Sequence, residues 1–327
     1  MKHISILILE GDTSLSNIEG AYKMFNMVNG FLINSRKPAM FKIQLVGASK
    51  EAVLTNGLFK VMPEAHFNEI EKTDLIIIPA VHGESADVLA SNQLFLPWIL
   101  KQHSAGAEVA SLCIGAFLLA STGLLDGKEC STHWLKTADF KTLFPGVSLV
   151  ADKIITDERG IYTSGGAYSS LNLILYLVEK YAGREMSVLI AKVFEIEYGR
   201  YSQSPFIIFR GQKEHSDEPI KKVQEYIEDN FSNKITVDKL AELVSLNRRS
   251  LERRFKKATT NTVLEYIQNV KIEAAKKSFE TTMDNVNEVM YKVGYTDSKA
   301  FRIMFRKCTG LSPLEYRSKY NREAIAI

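Results

Sequence analysis

The sequence predicts an α/β unit, a mostly parallel sheet sandwiched by helices, followed by an all-α unit with two helix-turn-helix motifs. Three observations carry this. The first two hundred residues alternate nearly continuous apolar runs with amphipathic stretches, the pattern of strands buried on both faces and covered by helices. The last hundred carry a helical period throughout, with a pattern that occurs twice. The charge divides at the same place. From Ser216 onward there are 21 Lys+Arg against 16 Asp+Glu, and before it 20 against 22, so the basic excess belongs to the helical segment alone. Such a segment suits a polyanion partner.

A chain of 327 residues exceeds one ordinary core, and the boundaries expected are 1–204, a linker at 205–219 and 220–327. In order, strands are expected at Ile4–Leu9, Phe41–Gly47, Asp74–Ala80 and Ala107–Leu112, with a hairpin over Val147–Ser164. Helices are expected near 15–28, 86–102, 114–122, 132–140, 167–182 and 184–196. SPFIIFRGQKEHSDEP, from Ser204 to Pro219, breaks every period with Gly211, a charged run and Pro219, hence the linker. Ligands of such sheets bind beyond the carboxyl ends of the strands. The apolar stretch in KHISILILEGD is too short for a membrane span and lacks a signal peptide's cleavage pattern. Cys113, Cys130 and Cys308 are odd in number and share no metal-ligand spacing, so neither a disulfide framework nor a metal site is expected, nor a cofactor. A cytoplasmic protein without a membrane partner is the expectation.

The two basic motifs begin at Thr236 and Asn285, and their second helices begin at Asn247 and Asp297. Asn247 and Asp297 are good N-caps. Leu251 and Phe255 in the first, Phe301 and Phe305 in the second, pin one face to a core. On the opposite face Arg249, Glu252 and Arg253 are candidates for base edges, and Arg248, Arg254, Lys256 and Lys257 for phosphates. In the second motif Gly294 supplies the turn, and Lys299, Arg302 and Arg306 form the basic face. One helix from Asn261 to Phe279 is expected to join the motifs, placing the recognition helices in successive major grooves of double-stranded DNA.

This segment, about 217–320, resembles the AraC/XylS transcription regulators: GLSPLEYR (Gly310–Arg317) matches their signature ending, and the F-x-x-x-F of the second recognition helix is present. Ile303 departs from the family, which commonly has an arginine there facing DNA.

Between strand and helix, AEVASLCIGAFLLAS places Cys113 as a nucleophile elbow does, and helix-terminal amides there are expected to lower the thiol pKa. Together with IPAVHGES, SLCIGAFLLASTGLLDGKECSTHW and YTSGGAYSSLNLILYLVE, this makes residues 1–200 resemble the glutamine-amidotransferase-like ThiJ/PfpI superfamily, most closely its GlxA-type regulators. The resemblance implies a flavodoxin-like, class I amidotransferase-like fold and a sensor of a small-molecule effector, often an amine or amino acid, within a homodimer formed through this domain. Hydrolytic members carry a histidine after the cysteine where this chain has Ile114, and Asn17 stands where others present an acid. A nucleophile needs a base and a group that orients it, so no catalytic residue is expected. Cys113, Ile114, Asn17, His82, Gly83, His133 and Gly165 are the ligand-binding candidates, with the Trp134 indole beside them as a face for a cation. The rival readings are a cysteine-dependent amidase or glyoxalase-like enzyme fused to a DNA reader, or a thiol redox sensor.

Overall fold

Successive residues of a strand point to opposite faces of its sheet, and in β1 (Lys2–Ile8) both sets are buried. Ile4, Ile6 and Ile8 join one core and Leu7 the other. This is what a parallel strand covered on both sides requires. In the computed structural model, which describes residues 1–55 and 57–321, β1 is flanked by β2 (Phe41–Gly47) and, further out, the short β3 (Ala65–His66). On its other side lie β4 (Leu75–Ile78), β5 (Glu108–Ser111), β7 (Ile161–Ser164) and, at the edge, β6 (Ile155–Asp157). All pairings in this sheet are parallel except β6 with β7. The chain order reverses between β1 and β4, which puts a crevice at their carboxyl ends.

One face carries α1 (Leu15–Asn34), α6 (Ser170–Ala182) and α7 (Arg184–Val193); the other carries α3 (Phe95–Ser104) and α4 (Ala116–Ser121). The single helix expected over 86–102 is two, α2 (Ser85–Ser91) and α3. The reason is Asn92. Its buried amide accepts from the Glu10 N–H at 2.9 Å and donates to the Glu10 carbonyl at 3.0 Å, and that anchoring to the end of the first strand ends α2. The expected hairpin over Val147–Ser164 is also shorter. Only β6 and β7 form it, while Ser148–Leu149 pairs in parallel with Glu129–Cys130. The stretch near 132–140 opens with a single 3₁₀ turn at Trp134–Lys136 before α5 (Thr137–Leu143).

Met1–Gln203 forms one unit and Ser204–Ile327 the second, of which 322–327 lie outside the described residues. The second unit is all helical: α8 (Glu218–Asn230), α9 (Val237–Leu243), α10 (Arg248–Thr259), α11 (Val263–Thr281), α12 (Val286–Lys292), α13 (Ser298–Thr309) and α14 (Pro313–Tyr320). It has two cores. Helix α11 belongs to both, through Val263, Tyr266 and Ile267 in one and Ile272, Ala275 and Phe279 in the other. Its 19 residues make a strut of about 28 Å.

The segment expected as a linker packs on this unit. Phe209 joins the first helical core and its N–H donates to Glu273 at 3.1 Å, while the buried Lys276 ammonium donates to the Ile207 carbonyl at 2.6 Å. Gln212 accepts from Gln224 and Asn261 at 2.9 and 3.0 Å. Gly211 is required by close approach, since a Cβ there would lie 2.2 Å from the Tyr266 hydroxyl.

Candidate functional site

The strand β5 ends at Ser111, and two residues later the backbone turns sharply: Cys113 has φ +56, a left-handed conformation costly for a side chain other than glycine. The turn is held on three sides. The Cys113 N–H donates to the Ser164 hydroxyl at 3.1 Å, its carbonyl accepts from the Thr132 hydroxyl at 3.1 Å, and the Leu112 N–H donates to the Ile78 carbonyl at 2.9 Å. Gly115 lets the turn close onto the end of β4, because a Cβ there would stand 2.5 Å from the Ile78 carbonyl oxygen. A second left-handed non-glycine residue, Ala167 at φ +50, lies opposite, and its amide, with that of Ile114, points at the Cys113 sulfur.

Those amides do not dominate. Burial pushes the Cys113 thiol up, and they offset only part of the rise, so the thiol is protonated at neutral pH and the expected lowering does not occur. Cys130, fully buried, is pushed up to about 12 by burial. A thiol whose folded pKa is raised contributes stability that is complete below its unfolded value near 9 and is lost as pH climbs toward the folded one. The α/β unit is therefore expected to lose about 1.4 kcal/mol per pH unit for each such thiol above that point. Urea midpoints at pH 8, 9.5 and 11 for the wild type and Cys130→Ala check it; parallel declines would show that Cys130 is not a source.

His133 caps the turn after Thr132, its Nδ1 accepting from the Leu135 N–H at 3.1 Å, which ties one ring nitrogen to the backbone. Burial, and then the nearby His82, hold its pKa below the usual range, so the ring is neutral. The ring lies against Gly166, where a Cβ would come within 2.2 Å of it. Gly165 meets Gln203 in the same way at 2.9 Å. Gln203 is the brace of the site: its amide oxygen accepts from Gly166 N–H at 3.3 Å, and its amide nitrogen donates to the Thr132 and Ala151 carbonyls at 3.0 and 2.7 Å. Asn17, buried, accepts from the Ala80 N–H at 3.1 Å and donates to the Ser170 hydroxyl at 3.0 Å, so it ties the loop after β4 to the start of α6. His82 is exposed on a two-residue strand paired with Asp12–Thr13, followed by Gly83 at φ +138. Ile114 packs on the core under α4. Around Cys113, then, the fold gathers Ile114, His133, Gly165 and the unforeseen Ser164, Gly166, Ala167 and Gln203. The doubled glycine of SGGAYSS was a readable signal for Gly166; Gln203, ninety residues from the elbow in sequence, had none. A cavity of about 440 Å³ between α7 and residues 195–198 includes none of the expected ligand-binding residues.

In the helical unit the repeat is structural. Leu251, Phe255 and Thr259 of α10 are buried at the same intervals as Phe301, Phe305 and Thr309 of α13, fifty residues on. Both threonine hydroxyls donate back to the carbonyl four residues earlier at 2.8 Å. Both helices end in a left-handed residue, Thr260 and Gly310, and both following helices start with a capping box, Thr262 with Glu265 and Ser312 with Glu315. Asn247 and Asp297 cap as expected, accepting from Ser250 N–H at 2.9 Å and from Lys299 N–H at 2.8 Å. At Gly294 (φ +74) a Cβ would strike the Ser232 carbonyl at 2.2 Å, so the second turn needs glycine.

Arg249, Glu252, Arg253, Lys256, Lys257, Lys299, Arg302 and Arg306 are all exposed on these two helices. Arg248 is exposed too, but its guanidinium lies 3.2 Å from Glu252 and 3.6 Å from Asp238. Arg254 corrects its expected phosphate role. It forks onto Asp217 at 2.7 and 2.9 Å, holding that carboxyl below the usual range, while Asp217 caps α8. Consequently Arg254→Ala should lower the stability of the helical unit and leave the salt dependence of DNA binding unchanged. Lys256→Ala should reduce the slope by about one phosphate, and Arg253→Ala should cost specific binding about 1–3 kcal/mol more than nonspecific binding. Salt-resolved titrations of the three variants separate these roles; a reduced slope for Arg254→Ala would restore it to the DNA face.

A model of the DJ-1/PfpI family matches residues 5–180, and a model of a helix-turn-helix domain matches residues 240–319. The chain is 25% identical to the HTH-type transcriptional regulator GbdR of Pseudomonas aeruginosa, in an alignment of 327 residues covering 96% of this chain and 83% of that protein. It is 26% identical over 157 residues to the isonitrile hydratase of Pseudomonas putida, covering 48% of this chain and 66% of that enzyme. Among solved structures, an AraC family transcriptional regulator from Pseudomonas putida aligns with a TM-score of 0.51 at 15% identity, covering 59% of this chain and 100% of that one, a likeness of fold.

Proposed function

We propose that this chain, which belongs to the DJ-1/PfpI family and carries an AraC-type helix-turn-helix domain, is a sequence-specific DNA-binding transcription regulator whose N-terminal unit senses a small metabolite. The observation that carries the reading is the repeat: two basic helices with matching caps, buried intervals and ends, mounted on one strut. A merely solvated basic helix has no need of a second copy at fixed separation. The working division is a sensor and dimerisation domain at 1–204, a connecting segment at 205–219 and the DNA-binding domain at 220–327. The partners proposed are double-stranded DNA, a small-molecule effector and a second copy of the chain, in the cytoplasm. Among the described residues, no helix is long and apolar enough to cross a membrane.

The effector site proposed is the elbow, with Cys113, Ile114, His82, Gly83, His133 and Gly165 around it and Asn17 positioning its wall. The Trp134 indole, its ring 5.7 Å from that of His133, offers a π face suited to an amine or amino acid. A route to the DNA-binding unit exists in the chain itself. Gln203 braces Gly166, and Ile207 and Phe209, four and six residues further along the chain, bond to α11. An effector that shifts Gly166 would move Gln203 and bias that segment between two arrangements.

The site is proposed to bind rather than to catalyse. Its thiol is protonated, one nitrogen of His133 is engaged by backbone, and Ile114 follows the cysteine. Enzyme chemistry keeps one observation in its favour, the strained elbow at Cys113 in a chain that is 26% identical over 157 residues to an isonitrile hydratase. Turnover of an isonitrile by the full chain, lost in Cys113→Ser, would establish it. The test of the main reading is binding of the full chain to a random-sequence duplex across 50–300 mM salt. With about six phosphates contacted, log K should fall with log[salt] at a slope of about −5. A slope near zero would remove DNA from the account.

A further inference from the structure

The structural repeat pairs every position of α10 with one in α13 fifty residues later, and of the pairs exposed in both helices one sets a charged side chain against an apolar one: Arg253 corresponds to Ile303. We infer that Ile303 reads thymine, by packing against its C5-methyl group in the major groove, so that the two recognition helices read different chemistry. This rests on the DNA-binding reading above.

The placement is specific. Lys299, Arg302 and Arg306 lie four before, one before and three after Ile303, and all three are exposed. Ile303 is 59% exposed, while Phe301 and Phe305 on either side of it are fully buried. An isolated exposed isoleucine is ordinarily without meaning. This one stands on the helix surface opposite the core, beside cations that would hold the helix to the phosphates flanking the groove. It occupies the position that in the sister helix carries Arg253, whose fork suits guanine. A side chain without a hydrogen-bonding atom cannot read guanine, cytosine or adenine edges, and the one apolar group the major groove displays is the thymine methyl. The neighbouring position strengthens the contrast, with Arg302 where the first helix has Glu252. The first helix therefore presents Glu252 and Arg253, suited to a C·G-type step, and the second presents Arg302 and Ile303, suited to guanine beside thymine.

The test begins with selection, by the full-length chain, of its preferred duplex from a random library. Each thymine of the recovered sequence is then replaced singly by deoxyuridine, which removes only the methyl group, and affinities are measured for the wild type, Ile303→Ala and Ile303→Arg. One thymine should be found whose demethylation weakens the wild type about fourfold, the effect of one methyl-sized apolar group. The same substitution should leave Ile303→Ala unaffected, and Ile303→Arg should favour guanine at that position. A recovered sequence in which every methyl is dispensable, or a penalty of equal size in the wild type and Ile303→Ala, would overturn the assignment while leaving DNA recognition intact. Retention of no duplex at any salt would overturn both.

Discussion

Phe305→Ala is expected to cost the helical unit about 3–5 kcal/mol, the usual loss for a fully buried phenylalanine cut to alanine. Its ring is 0% exposed and meets Phe279 and Tyr316 edge-on, with centroids 5.5 and 5.4 Å away. It is the pin that holds α13 to the strut α11. The second helix-turn-helix should loosen first, because the first has its own core around Leu251, Phe255 and Tyr266. The variant should thus show a lowered urea midpoint and keep only the DNA contacts of α10. A loss under about 1 kcal/mol, or an unchanged footprint, would mean that α13 is held by something other than this core.

Gly115→Val should destabilise the α/β unit, for a steric reason. The backbone at Gly115 has φ −57, which valine adopts, so conformation is not the obstacle. The obstacle is that a Cβ would lie 2.5 Å from the Ile78 carbonyl oxygen and 2.7 Å from that of Pro79. Those atoms belong to the chain at the end of β4 and cannot rotate aside, so the elbow must lift off the sheet, at a cost of about 1–3 kcal/mol. Lifting it exposes the buried Cys113 thiol. Reaction with an aromatic disulfide at pH 7.5 should be slow for Cys113 in the wild type and at least tenfold faster in the variant, with affinity for nonspecific DNA unchanged. Fast labelling of Cys113 in the wild type itself would contradict the buried, protonated thiol and revive the redox reading.

Much of this was legible in the amino-acid order. The nearly continuous apolar run ISILIL announces a strand buried on both faces, and β2 begins and ends where FKIQLVG does. The caps at Asn247 and Asp297, and the strut beginning after Asn261, follow from local side-chain chemistry that needs no tertiary context. What escaped depends on partners distant in sequence. The break at Asn92 arises from Glu10, and the claim of Arg254 as a phosphate clamp fails because Asp217 takes its guanidinium. The same holds for the elbow. Sequence placed Cys113 between strand and helix but predicted a lowered pKa, since the amides of the turn are local while the burial that outweighs them is assembled from several strands. Ala167 and Gln203 became visible only once β7 was set beside β5.

In the proposed complex two recognition helices on one strut engage one face of the duplex, an arrangement that hydroxyl-radical footprinting of the full-length chain on its selected duplex resolves. Each bound chain should protect two windows whose centres lie one helical turn, about 10 base pairs, apart, within a site of about 20 base pairs. A single window of one turn, with Lys299, Arg302 and Arg306 replaceable by alanine without loss of affinity, would contradict it.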